Sequence, residues 1–418
     1  DDHDRSGRYT CRDFGKNYLT SVDENGIIFT NGDNDTFPLW YAQETEGYRT
    51  DVRVCNLSYL QTDWYVNQMK SQAYESDPLP ISMEELQYGN KKREYAYILD
   101  RVDYPVSVKM AMDYFLSDDE RTKTIPGYGK INHLPTGELF IDIDKEKILK
   151  SGIVPKGYEN KIVDRIDLSF KDKNTLILND LAIIDLLSTN AETGWKRPVY
   201  FATTVDPSFF TETDKYFMRT GMAYEVVPVK LENTPGRYQV NTDKMYDNVM
   251  NKFVWGGIDV NPDIYLDETI RRMCYSYRIM FIDLIDQLIQ EGKTDKALKA
   301  LDYCMEKIPG DVVPHNYISL QLAMDYYFLK QNEKGKALLE KIADSAIEYV
   351  TWINSLDNNK KRSVQRDYYY NERALAEQVI PMFYRFGDEE SGKKYLEKAA
   401  LAGVDINRYF KIDTSKTN

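Results

Sequence analysis

Only four cysteines (Cys11, Cys55, Cys274, Cys304) occur in 418 residues, and no two of them form a C-x-x-C pair. That spacing excludes a disulfide framework, and with three scattered histidines (His3, His133, His315) it argues against a structural zinc site. Cys274 and Cys304 could meet if their helices pair, but buried free thiols are the commoner state for such residues. Positive charge is also scarce. The formal net charge is -13, and no basic block exceeds the NKKR runs at 90–93 and 359–362, both of which read as solvated faces. An acidic surface repels nucleic acid and anionic lipid, so no nucleic-acid partner is expected. Long hydrophobic runs are missing too. The nearest, IMFIDLIDQLI at 279–289, contains Asp283 and Asp286 and falls short of the ~20 apolar residues that a membrane helix needs. No signal peptide is visible, and the start at Asp1 fits a cut or processed chain. Glycine-rich phosphate loops and a G-x-S-x-G elbow are absent, and no histidine has a local nucleophile beside it.

What remains is an ordinary globular composition, 42% hydrophobic and 29% charged, in a chain long enough for two or three domains. Tyrosine stands out, with 33 residues against 5 Trp and 16 Phe. Its apolar face and polar tip suit sugar or protein surfaces, and equally the interfaces between helices.

Helix-like and strand-like patterns alternate through the first ~200 residues, the mark of an α/β layer fold. GIIFT (26–30) reads as a buried strand, and TFPLWYAQETEG (36–47) as a helix with Pro38 in its first turn and Gly47 at its end. DVRVCNLS (51–58) is a second strand, and TDWYVNQMKSQAYES (62–76) a second helix. Short loops between them predict parallel pairing of 27–30 with 52–56. Further on, FIDID (140–144) alternates, placing both carboxylates on one wet strand face. Asn179 or Asp180 can cap a helix over 176–190, and WKRPVYFATT (195–204) is a strand with Pro198 at its entry. From about residue 266 the pattern is helical: Ile270, Met273, Cys274, Tyr277, Phe281, Leu284, Ile285 and Leu288 repeat at helix spacing. KALKALDYCMEKI (296–308), KALLEKIADSAIEYV (336–350) and KKYLEKAALAG (393–403) echo one another at uneven offsets, as in degenerate tetratricopeptide repeats. The expected architecture is an α/β Rossmann-like domain (1–212), a mixed connector with a strand (213–265) and an all-α tetratricopeptide-like domain (266–418). Such helical stacks bind protein partners or buttress a neighbouring domain.

The stretch TNGDNDTF (30–37) carries the most chemistry. Asp33 and Asp35 form a D-x-D, the spacing that clamps a divalent cation in many nucleotide-sugar transferases. It is also similar to the phosphatase motif in which the first Asp is the nucleophile, but there the Asp follows its strand directly, and here TNG intervenes. A third reading is a polar pocket, because open α/β sheets bind ligands at the carboxyl ends of their strands. Against these stands a plain structural use: Asn31-Gly32 makes a turn, and Asp35 or Thr36 caps the next helix. Asn31, Asp33, Asn34 and Asp35 are the candidate ligand-binding residues. Asn56, Asp63 and Trp64, at the end of the second strand, could converge with them. The terminal DDHDRSGR (1–8) offers possible metal ligands, though at a chain end it is expected to be loose. No catalytic residue and no cofactor are assigned, a divalent cation at the Asp pair being the one option left open.

DDHDRSGRYTCRDFGKNYL, IIFTNGDNDTFPLWYAQETEGYRTDVRVCNLS, TDWYVNQMK, LAIIDLLSTN, WKRPVYFA and MYDNVMNKFVWGG together resemble the soluble C-terminal region of a family of multi-pass bacterial membrane proteins of unknown function. The membrane portion of that family is similar to protein O-mannosyltransferases, which use lipid-linked sugars. The resemblance implies a fragment on the periplasmic face of the inner membrane, with its own membrane domain and an acceptor protein or glycan as partners. It further implies a parent glycosyltransferase using a polyprenyl-phosphate sugar, whose catalytic acid lies outside this chain. The expectation is therefore an accessory region that recognises the acceptor or braces the membrane domain. The rival is a free-standing metal-dependent enzyme using Asp33 and Asp35 on a phosphorylated or nucleotide-linked sugar.

Overall fold

The computed structural model describes residues 7–404 except Tyr128 and Gln365. The possible ligands at 1–4, His3 among them, lie outside the described residues. The chain divides into two compact units, Tyr9–Gly256 and a second made of Asp1–Arg8 with Gly257–Asn418.

The first unit is mixed α/β. Its main sheet contains β1 (Ile27–Thr30), β2 (Arg53–Asn56), β3 (Val199–Ala202), β4 (Phe217–Arg219), β5 (Ala223–Val226) and β6 (Gln239–Val240), in the order β6-β4-β5-β3-β1-β2. β1 runs parallel to β2, with Ile27 opposite Arg53, as the short loops predict. It is also parallel to β3, with Ile27 opposite Val199. Every residue of these three strands is buried, which explains their continuous rather than alternating apolar runs. β5 pairs antiparallel with both β3 and β4, so the strand expected within 213–265 joins the main sheet. Glu138–Asp142 alternates as expected, with Leu139 and Ile141 buried and Asp142 exposed.

Four helices position the strand ends: α1 (Thr10–Thr20), α2 (Asp33–Glu46), α3 (Asp63–Met69) and α4 (Leu178–Glu192). α2 starts at Asp33, three residues earlier than expected, after Gly32 at φ 87°. That positive φ suits glycine and little else. Pro38 consequently sits in the second turn, where it supplies no N–H to the carbonyl of Asn34. Helix α1 crosses α2 so closely that a Cβ on Gly15 would lie 2.3 Å from the Pro38 carbonyl oxygen. α3 ends at Met69, well before residue 76, because Ala73 and Ser76 pair across a turn with Tyr74 at φ 52°. At the start of α4, Asp180 accepts from the Ile177 amide at 3.2 Å, while Asn179 donates to the Leu57 carbonyl at 3.3 Å.

The second unit is all-helical from residue 268 to 401. It contains α5 (Glu268–Gln290), α6 (Thr294–Lys307), α7 (Tyr317–Phe328), α8 (Asn332–Ser355), α9 (Arg366–Arg385) and α10 (Glu389–Leu401). α5 packs on α6 and α7, α7 on α8, α8 on α9, and α9 on α10. The predicted face of α5 is the buried one, from Met273 to Leu288. Cys274 and Cys304 are buried free thiols, and burial pushes each up to about 12. Among the described residues, no helix is long and apolar enough to cross a membrane.

Candidate functional site

The carboxyl ends of β1 and β2 meet in a lattice of side-chain hydrogen bonds. Thr30, the last residue of β1, shares a 2.8 Å bond with Thr36 in the first turn of α2. Thr36 Oγ1 also accepts from Asn56 Nδ2 at 2.9 Å, which ties the end of β2 to the same point. The other side of that amide, Asn56 Oδ1, accepts the backbone amides of Ser58 (2.9 Å) and Tyr59 (3.1 Å). Ser58 Oγ then donates to Asn31 Oδ1 at 2.9 Å and closes the lattice. The backbone follows the same path, Leu57 N–H donating to the Thr30 carbonyl at 2.8 Å.

Asp33 and Asp35 lie in different surroundings. Asp35 is 2% exposed, and its Oδ2 accepts from the Asn31 amide and from Thr204 Oγ1, both at 2.9 Å. Burial pushes its carboxyl above the usual range, and the bonds from Asn31 and Thr204 offset part of that rise. Asp35 therefore reaches back to hold the 31–32 turn, a structural use at the third helical position in place of the expected cap. Asp33 and Asn34 are exposed on the outer side of the same turn. Among the described residues, no group of three or more His, Cys, Asp or Glu side chains is placed to hold a metal ion.

Asp63 turns elsewhere. Its Oδ1 accepts from the Trp64 amide at 2.8 Å and its Oδ2 from the Asn90 amide at 3.0 Å, anchoring the 89–92 turn. Trp64 does join the site, through a run of rings that sequence reasoning missed. Phe37 stacks on Trp40 (centroids 5.7 Å apart, 26° between planes), and Trp40 on Tyr59 (6.2 Å, 22°). Tyr59 lies 6.1 Å from Trp64, which meets Tyr65 edge-on at 5.4 Å. Phe37 (47%) and Trp64 (55%) are too exposed to be core residues. The available signal was the aromatic pairs flanking both polar turns, TFPLWY and LSYLQTDWY.

A second polar cluster lies at the opposite end of the strands, and nothing local in the sequence marks it. Tyr200 in β3 faces Glu225 in β5 and donates to its Oε1 at 2.8 Å. Lys244 Nζ reaches Glu225 Oε2 (2.9 Å), the Tyr200 hydroxyl (2.9 Å) and Asp23 Oδ2 (2.6 Å). Burial opposes the Lys244 charge, but Glu225 and Asp23 outweigh it and hold the ammonium above its ordinary range. The Lys244 ammonium and both Glu225 oxygens are paired, so the cluster fastens β3, β5 and the 242–247 helix together. Its outer members, Asp23 and Lys244, line part of an open cavity of about 800 Å³.

A family profile described as TMEM260-associated domain 2 matches residues 11–244, covering the whole main sheet and both polar clusters. No curated protein and no solved structure gives a match. TMEM260 is a membrane protein family. With more than half its length matched, the chain belongs to the TMEM260-associated domain 2 family.

Proposed function

We propose that this chain is the periplasmic accessory region of a membrane glycosyltransferase resembling protein O-mannosyltransferases. In this reading it recognises the acceptor glycan or protein and leaves transfer, from a polyprenyl-phosphate sugar, to its own membrane domain. The observation that carries the reading is the ring series Phe37, Trp40, Tyr59 and Trp64 running beside exposed Asp33 and Asn34. Aromatic faces take the C–H face of a sugar or an aliphatic side chain, and neighbouring acceptors and donors fix its orientation. The lattice through Asn31, Thr36, Asn56 and Ser58 holds that surface in place before any ligand arrives, which lowers the cost of ordering it. The 31–35 turn also lies at the carboxyl ends of parallel strands, where such sheets take their ligands. The first unit is then a Rossmann-like recognition domain. The helical unit, read as a tetratricopeptide-like stack, braces the membrane domain or binds protein.

Tryptophan fluorescence tests this with a panel of oligosaccharides and Ser/Thr-rich peptides. Phe37→Ala and Trp64→Ala should each weaken the binding found by roughly 3–10-fold, the value of one aromatic contact. Binding that both variants leave intact would sink the proposal. Calorimetry with Mg²⁺ or Mn²⁺ addresses the rival enzyme: tight binding abolished by Asp33→Asn with Asp35→Asn would favour it.

A further inference from the structure

Away from both clusters, the first unit holds a small cavity of about 290 Å³ lined by Lys92, Arg93, Lys123 and Lys130 against Asp118 and Glu120. Four cations against two carboxylates is an unusual balance in a chain of net charge -13. The roles of five of these side chains are accounted for. Arg93, 2% exposed, gives Nε to the Phe115 carbonyl (3.2 Å), Nη1 to the Gln87 carbonyl (2.8 Å) and Nη2 to the Ser117 carbonyl (3.1 Å). It thereby caps the end of the Val108–Leu116 helix and also pairs with Asp118 at 2.6 Å. Lys92 takes the same Asp118, and Lys130 takes Glu120. Both carboxylates are mostly exposed, at 71% and 74% of their side chains, and so lie toward the rim.

Lys123 is the exception. It is 8% exposed, and its one hydrogen-bond acceptor among the described residues is the Phe115 carbonyl, which Arg93 already serves. Its ammonium also lies 5.2 Å from the centre of the Phe115 ring. An ammonium carries three N–H donors. Among the described residues they meet only that carbonyl and the ring, inside a cavity where Arg93 and Lys92 repel the charge. A helix cap alone does not need this arrangement, because Arg93 suffices.

We propose that this cavity binds a phosphoryl-type oxyanion, seated on the Lys123 ammonium with Lys92 and Lys130 closing over it. The donor set favours phosphoryl over carboxylate. A carboxylate is best matched by the planar fork of arginine, and the fork of Arg93 is spent on carbonyls. Three lysines are instead separate point charges with rotatable donors, which suit the several oxygens of a tetrahedral anion. Burial, Arg93 and Lys92 together push the Lys123 ammonium down to about 8, a strain that a seated anion relieves.

Competitive amine labelling of the intact chain at pH 8 tests the site. Limiting acetic anhydride is applied with inorganic phosphate or with sodium chloride at equal ionic strength, and each lysine is read by mass spectrometry. An anion that raises the Lys123 pKa by about one unit cuts its reactive amine about fivefold, while Lys171, with its side chain 73% exposed, should not change. Lys123→Met should abolish the heat of phosphate binding in calorimetry; if that variant does not fold, labelling of the parent chain still decides. Equal protection by chloride, or none by phosphate, overturns the site. Vesicles of phosphatidylcholine with phosphatidic acid identify the source of the phosphoryl group. Protection beyond that given by inorganic phosphate supports the site with a lipid headgroup as its ligand. Phosphate protection that the vesicles do not exceed supports it with a soluble ester.

Discussion

Asp325 and His315 titrate in opposite senses within the helical unit, so neutralising one should uncover the other. Asp325 is 3% exposed; Gln321 Nε2 donates to its Oδ1 at 2.8 Å, and Oδ2 has no partner among the described residues. Burial, with the Asp286 charge behind it, pushes this carboxyl from 3.8 up to about 7. His315 is 8% exposed, its Nε2 unpartnered among the described residues, and burial, then Arg278 and Lys341, push its imidazole from 6.5 down to about 3. Because the folded pKa of Asp325 is raised, its contribution is full below 3.8 and is lost as pH rises through 7. The folded pKa of His315 is depressed, so its contribution is full above 6.5 and is lost as pH falls toward 3. Between about pH 4 and pH 6.5 each changes stability by about 3 kcal/mol, with opposite sign, and the two cancel. Asp325→Asn keeps an acceptor for Gln321 and removes the proton. From about pH 4 to pH 6.5 the variant's helical unit should therefore gain about 3 kcal/mol relative to the parent's. At pH 8 it should be the more stable of the two, by up to about 4 kcal/mol. Urea denaturation followed by hydrogen-exchange mass spectrometry of peptides from 317–328 gives both numbers. Parallel pH curves for variant and parent, or a variant less stable at pH 8, would refute the assignment of a buried, proton-binding Asp325.

Two further substitutions test the first unit. Lys244→Met leaves Glu225 and Tyr200 buried without their cation and should cost about 3–5 kcal/mol, of which adding Glu225→Gln should recover the larger part. Urea midpoints of the single and double variants measure this; a single variant within 1 kcal/mol of the parent, on the order of a surface pair, would show that the cluster is not a fastener. Gly15→Ala places a Cβ 2.3 Å from the Pro38 carbonyl oxygen and 2.5 Å from its carbon, both backbone atoms that cannot swing aside. The resulting separation of α1 and α2 should cost about 1–3 kcal/mol and lower the thermal midpoint, whereas an unchanged midpoint would mean that the crossing is loose.

The elements legible in the sequence were those whose pattern is local. The run IIF, the parallel partner RVCN and the strand VYFA were visible because strands buried on both faces leave unbroken apolar letters. α5 was visible because its buried face repeats at helix spacing. The errors fall where a tertiary contact overrides a local signal. Pro38 argued for a helix beginning near residue 36, but Gly32 at φ 87° and the bond from Asn31 N–H to Asp35 start it at Asp33. One strand was expected within 213–265, and β5 is there, but the three-residue β4 and the two-residue β6 that join it in the sheet were not foreseen. Strands of two or three residues become visible only through their partners in the sheet.

The same distinction separates the two ends of the parallel strands. At the carboxyl end, the candidate residues were few in kind and close in sequence, so a turn, a helix start and a strand end pointed to one place. Asn31, Asp35 and Asn56 do meet there, yet the direction of each side chain depended on partners such as Thr204, 169 positions beyond Asp35. At the amino end, Asp23, Tyr200, Glu225 and Lys244 span more than two hundred residues, and each is unremarked in its own neighbourhood. Their juxtaposition follows from β3 pairing antiparallel with β5 in the register that sets Tyr200 opposite Glu225. A one-residue slip in that register would turn Glu225 to the other face and leave Lys244 facing an apolar strand. The buried ion cluster therefore penalises every alternative pairing of these short strands. An apolar substitute would bury equally well and would not discriminate between registers.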